Sequence, residues 1–138
     1  MKPLEFAYKD RSYFLRFNKF NIIFIVGGVC KSLMCQDLKE LSKQDEAYAD
    51  VCVLNVYDSD RVESLLKAEE TYEKYKYFVI DNADLLVTPE ISNIIRKRWK
   101  WFWVLIGRNI PNCVLTLASI CNLREVTPNH FETDYKIF

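Results

Sequence analysis

Glycine and proline are scarce in this chain of 138 residues, with three copies of the first and four of the second. That scarcity excludes collagen-like, low-complexity and linker-rich architectures. The few there are (Gly27, Gly28, Gly107, Pro3, Pro89, Pro111, Pro128) mostly punctuate the boundaries of periodic segments. Histidine occurs once, as His130, and no C-x-x-C pair accompanies it, so a zinc site lacks its usual ligands. The five cysteines, Cys30, Cys35, Cys52, Cys113 and Cys121, are odd in number and irregular in spacing. A disulfide framework is therefore not expected, and buried, reduced thiols of a cytoplasmic protein are. Charge of one sign is not in excess: 19 basic residues balance 19 acidic ones, so no global field points to nucleic acid or membrane. No apolar run approaches the roughly 18–20 residues of a membrane helix; Ile22 to Val29 has the length of a strand. The opening MKPLEFAYKDRSYF carries charges where a signal peptide needs an apolar stretch.

What is present is enough hydrophobic material, 50% of residues, to build the core of one domain. Leu4 to Tyr8 and Tyr13 to Phe17 flank the polar tetrad Lys9-Asp10-Arg11-Ser12 and read as a hairpin. Asn21 to Val26 is apolar and β-branched, a strand buried on both faces that ends at Gly27-Gly28. Leu33, Met34, Leu38 and Leu41 make one stripe on a helix over Lys31–Leu41. Val51–Val56 reads as a second strand, and Asp58-Ser59-Asp60 offers caps for a helix running to about Tyr75. Tyr77–Ile80 is a third strand, ending at Asp81. Pro89 suits the first turn of a helix over Glu90–Arg98. Trp101–Ile106 is a fourth strand, stopped by Gly107; Val114–Leu117 is a candidate fifth, and the tail from Leu123 reads as a short strand and a closing segment. Alternating strands and helices predict an α/β fold of three layers, a mostly parallel sheet flanked by helices, with the N-terminal β-hairpin added. Its parts are a hairpin over 1–20, a core over 21–109 and a closing segment over 110–138. In such sheets ligands bind at the carboxyl ends of the strands. That singles out Gly27 to Ser32, Tyr57 to Asp60, Asp81 to Asp84 and Gly107 to Asn109.

Three motifs follow one another in that set: FIVGGVCKS, YFVIDNADLL and WFWVLIGRN. Together they resemble the core of P-loop NTPases, with a phosphate loop, a Walker B strand and a sensor-type strand over about Asn21 to Asn109. The resemblance implies nucleotide or anion contacts by Gly27, Gly28, Lys31, Ser32, Asp81 and Arg108, and magnesium near Ser32 and Asp81. The chemistry departs from the family. A working loop reads G-x-x-x-x-G-K-S/T, its backbone N–H groups wrapping the phosphates. Alignment on Lys31-Ser32 puts Cys30 where the second glycine belongs and Ile25 where the first does; alignment on Gly27 leaves the loop two residues short. After Asp81 comes Asn82, an amide that cannot act as a base where hydrolysing relatives often carry glutamate. Arg108 either meets a γ-phosphate or pairs with Asp81 or Asp84, and with the loop broken the internal ion pair is expected.

Two further groups invite a macromolecular reading. Arg96, Lys97, Arg98 and Lys100 interleave with Trp99, Trp101 and Trp103, either a nucleic-acid contact or the solvated end of a helix beside core tryptophans on one face of a strand. The hairpin carries Tyr13 and Arg16 among other aromatic and basic residues, either interface anchors or an edge packed on the sheet. His130 has no nucleophile near it in sequence and reads as structural or solvated. The expectation is a non-catalytic P-loop-like scaffold without a cofactor, a protein-binding or inhibitor module of a bacterium, phage or mobile element. The alternatives are a magnesium-dependent ATP- or GTP-binding protein or slow NTPase with an unusual phosphate loop, and a nucleic-acid-binding accessory protein.

Overall fold

The computed structural model of the chain describes residues 4–15, 21–26, 29–57, 61–86, 88–98, 100–108, 123–127 and 130–133. The expected caps Asp58-Ser59-Asp60, the expected strand Val114–Leu117, and Gly27, Gly28, Arg16, Trp99 and Asn109 lie outside these residues.

Strands β1 (Leu4–Tyr8) and β2 (Arg11–Leu15) form a two-stranded sheet of their own. Strands β3 (Ile22–Val26), β4 (Val51–Asn55), β5 (Tyr77–Asp81), β6 (Phe102–Gly107), β7 (Leu123–Thr127) and β8 (His130–Thr133) form a second sheet in the order β4-β5-β6-β3-β8-β7. The first four of that order are mutually parallel. β8 runs antiparallel to β3 and to β7, so the tail returns as a hairpin rather than a single short strand. The fold is thus α/β, a four-stranded parallel sheet flanked by helices and extended by an antiparallel hairpin.

Strand alternation sorts the core into two halves. Ile22, Phe24, Phe78, Ile80, Trp103 and Leu105 point to one side, where α2 (Val62–Lys67), α3 (Glu69–Lys74) and α4 (Pro89–Lys97) supply Val62, Leu66, Tyr72, Ile91 and Ile95. Ile23, Ile25, Val51, Val79, Val104 and Ile106 point to the other, where α1 (Val29–Gln44) supplies Met34, Cys35 and Leu38 and the β1–β2 hairpin supplies Leu4, Phe6 and Leu15. Fully burying each large side chain of this kind stabilises the fold by about 1.5–3 kcal/mol. On the first side Phe78 stacks on its cross-strand neighbour Trp103 at 4.6 Å between ring centres. Trp103 and Trp101 do share that face, and their indole N–H groups donate to Arg98 O and Tyr72 O.

The helix expected to run to Tyr75 is two helices. Ala68 adopts an extended conformation (φ −81°, ψ 128°) between α2 and α3. At 100° per residue a continuous helix would turn Tyr72 about 120° away from Leu66. The break lets both face the core, and the Thr71 hydroxyl (2.7 Å, to Leu65 O) and the Tyr72 hydroxyl (to Leu66 O) donate to the carbonyls the break releases. The hairpin turn is also tighter than the polar tetrad suggested. Only Lys9 and Asp10 form it, Lys9 with φ 56°, and Tyr8 pairs with Arg11. Arg11 and Ser12 belong to β2 because Arg11 is held from below, as described next.

Candidate functional site at the carboxyl ends of the parallel strands

Two buried carboxylates lie near α1: Asp37, within it on the hairpin side, and Asp81, at the end of β5, which lines a cavity with Ser32 and Cys35 of α1. Asp37, 4% exposed, accepts two hydrogen bonds from the Arg11 guanidinium (Nε 2.8 Å, Nη2 2.9 Å) and one from the Tyr13 hydroxyl (2.6 Å). The Arg11 guanidinium, helped by the Tyr13 hydroxyl, holds the Asp37 carboxyl below the usual carboxylate range against the opposing effect of burial. Asp37 in turn raises Tyr13 and Arg11. Tyr13 also stacks on Phe6 at 5.0 Å, so this candidate interface residue is engaged inside the molecule; Arg16, its companion, is outside the described residues.

The crevice itself is built from α1 and the carboxyl ends of β4 and β5. α1 begins at Val29, two residues earlier than expected, which places the Lys31 N–H among the leading donors that no helical carbonyl satisfies and Ser32 at the end of the first turn. Ser32, Cys35, Gln36, Lys39, Val53, Leu54, Asn55 and Asp81 enclose a cavity of about 60 Å³. Asp81 is 5% exposed; its carboxylate accepts from the N–H of Asn82 at 3.0 Å, and no other described residue donates to that carboxylate. Burial, with Asp81 nearby adding to it, pushes the Cys35 thiol up to about 12 against the opposite pull of Lys31. Both charges therefore act on the same short stretch of α1.

Asn82 has a structural use. It is left-handed (φ 56°, ψ 35°), a conformation asparagine adopts more readily than most residues. Its side-chain amide donates to Asn55 Oδ1 at 2.9 Å, and the same oxygen accepts from Tyr57 N at 3.1 Å, tying the ends of β4 and β5 together. The 3-10 turn Ala83–Leu85 then brings Asp84 over the end of β6. A Cβ on Gly107 would stand 2.9 Å from Asp84 Oδ1 and 3.0 Å from Asp84 Cβ, so position 107 needs glycine for space.

The structure thus brings Ser32 and Asp81 to one cavity and leaves Lys31 half-buried at its helix end. Arg108 is exposed and, among the described residues, makes no ion pair, so the expected contact with Asp81 or Asp84 is absent. The reason is geometric: Asp84 packs against the backbone of Gly107, one residue short of Arg108. Arg98, counted with the basic run, pairs with Glu69 and lies over the rings of Tyr72 (4.2 Å) and Trp101 (5.5 Å). Arg96 and Lys97 end α4, where cations suit the helix dipole, and Lys97 and Lys100 are exposed.

Sequence reasoning missed three exposed apolar side chains on the elements at this end of the sheet. Leu33 (38% exposed) stands in the first turns of α1, Tyr57 (72%) follows β4, and Leu85 (56%) follows β5. Leu33 was assigned to the helix stripe, and the other two carry no periodic signal because they sit in turns. Among the described residues no group of His, Cys, Asp and Glu could hold a metal, and no helix is long and apolar enough to cross a membrane. Compared with known proteins, the chain matches no family model, no curated protein and no solved structure.

Proposed function

We propose that this chain is a non-catalytic, P-loop-like scaffold that binds a protein partner through the rim of its carboxyl-end crevice. The observation that carries the reading is the pairing of a very small cavity with an apolar rim. About 60 Å³ accommodates one or two waters, whereas small-molecule sites span about 300–1,000 Å³. On the elements that lead into and out of this end of the sheet are Leu33, Tyr57 and Leu85, three of the four large hydrophobic side chains exposed among the described residues. A buried centre of apolar anchors with a polar surround is how protein interfaces are organised. Asn82, committed to Asn55, supports the absence of a hydrolytic base at that position.

A second reading has its own observation. Ser32 and the buried Asp81, whose carboxylate accepts from Asn82 N alone among the described residues, line one cavity, which suits a magnesium-dependent nucleotide protein of the P-loop type. Thermal-shift and calorimetric titration with ATP, ADP, GTP and GDP plus magnesium, beside Lys31→Ala, separates the two. The scaffold reading expects no shift with any nucleotide. A shift that disappears in Lys31→Ala replaces it with the nucleotide reading. The protein-binding half is tested by Leu33→Glu, Tyr57→Glu and Leu85→Glu combined: a cross-linked partner recovered with the wild type should be lost with the triple variant, and its undiminished recovery refutes the rim.

A further inference from the structure

The six-stranded sheet has two edges, and they are built differently. The β7 edge is irregular, its ladder with β8 shifting register between Glu125 and Thr127. Charges and bulges are the usual devices that keep an edge strand from pairing with another chain. The β4 edge reads VCVLN, with no charge and no proline, in unbroken register with β5 from Val51↔Tyr77 to Asn55↔Asp81.

Hydrogen-bonding parity fixes which groups of β4 face outward. Asp50 O accepts from Tyr77 N at 3.1 Å, and Val56 N donates to Asp81 O at 3.2 Å. Cys52 and Leu54 share that parity and turn their N–H and C=O toward β5; Val51, Val53 and Asn55 turn theirs outward. The start of the edge is closed, since Val51 is 3% exposed and shares a groove with Ala47 and Tyr48 of the 3-10 turn Glu46–Tyr48. From Val53 onward it opens: Val53, Leu54 and Asn55 are half-buried, and no described residue bonds to the outward backbone groups of Val53 or Asn55.

We infer that this edge is a self-association surface, on which two copies of the chain pair β4 antiparallel about a twofold axis and join their sheets into one. The open stretch is complementary to itself. With Leu54 on the axis, Val53 of each copy faces Asn55 of the other, and each pair exchanges two backbone bonds. Leu54 packs with the α2–α4 core and Val53 with the α1 core, so both cores continue across the junction. A second copy fits better than a foreign strand for two reasons. β4 paired with itself sets no charge against a like charge, and a chain with 19 basic and 19 acidic residues has no net repulsion between copies.

Sedimentation velocity on the full chain, over about 1 to 500 µM, spans the weak association expected of so short a contact. The expected result is a monomer–dimer equilibrium in which the amides of Val53 and Asn55 exchange about tenfold slower in the dimer, while those of Cys52 and Leu54, already bonded to β5, do not change. Val53→Pro deletes an outward N–H without removing a β4–β5 bond, and Val53→Lys places a charge beside the axis. Each is expected to abolish the dimer with the far-ultraviolet circular dichroism unchanged. Should either variant misfold, the wild-type exchange pattern decides alone. A chain that stays monomeric throughout, or a dimer in which Val53 and Asn55 exchange as fast as in the monomer, overturns the inference.

Discussion

Asp37 and Asp81 are both buried beside α1, and the two are treated in opposite ways. Asp37 is surrounded by donors: a two-pronged arginine and a tyrosine hydroxyl. Among the described residues the Asp81 carboxylate receives only the N–H of Asn82. A buried carboxylate with a full set of donors is a fastener, here clamping the hairpin onto α1. A buried carboxylate with lone pairs to spare costs stability, and proteins keep such groups where they serve a purpose other than folding. The contrast locates structural investment in the hairpin–α1 contact and functional interest in the crevice.

The comparison can be tested at each of its members. The largest effect is expected from Asp37→Ala, which strands Arg11 and Tyr13 and should destabilise by about 2–3 kcal/mol in chemical denaturation. Equal stability of variant and wild type would show that the clamp is ornamental. Gly107→Ala comes next, at about 1–3 kcal/mol, because the new methyl must displace Asp84. An unchanged midpoint would mean that the turn over β6 yields freely. Acid supplies a third test. The folded-state pKa of Asp37 is lowered, so its contribution is complete above the unfolded value near 3.9 and is lost as pH falls through the folded value. The stability gap between wild type and Asp37→Asn, measured from about pH 6 to pH 2, should therefore narrow only below about pH 4. A gap that is constant with pH would place the effect in packing. The smallest change is expected from Asp81→Asn, which removes a poorly partnered charge and should alter stability by under about 1 kcal/mol, with a gain as the natural direction. A loss of several kcal/mol would make Asp81 a second fastener and dissolve the contrast. Cys35 and Cys52, both pushed up to about 12 chiefly by burial, should resist iodoacetamide at pH 8 in the folded chain and react once it is unfolded.

Much of the sheet was legible because its strands are hydrophobic on both faces. IIFIV, VCVLN, YFVID and FWVLIG are each apolar runs closed by a polar residue or a glycine, and each appears within one or two residues of its expected bounds. Pro89 and the stripe that follows placed α4 equally well, and Thr88 caps it by accepting from Ile91 N at 3.2 Å. The break at Ala68 was not legible, since EETYEK continues a helical composition and only the tertiary demand to bury both Leu66 and Tyr72 interrupts it. At the site, the sequence marked Ser32 and Asp81 through motif order, and the fold does bring them to one cavity. It misassigned Arg108, because an ion pair depends on where Asp84 is aimed, and that is set by the 3-10 turn rather than by spacing.

The division follows from the range of the forces involved. Hydrophobic periodicity, proline at a helix start and glycine at a strand end act within a few residues, so the sequence by itself determined the α/β alternation, the parallel strands and the absence of a complete phosphate loop. Bonds across the fold need partners 24 to 27 residues apart, such as Tyr13 with Asp37, Arg11 with Asp37 and Asn82 with Asn55. Those, with the separate hairpin sheet, the strand order and the β4 edge left open among the described residues, were decided only by tertiary structure, because no local preference encodes which distant donor will reach a buried acceptor.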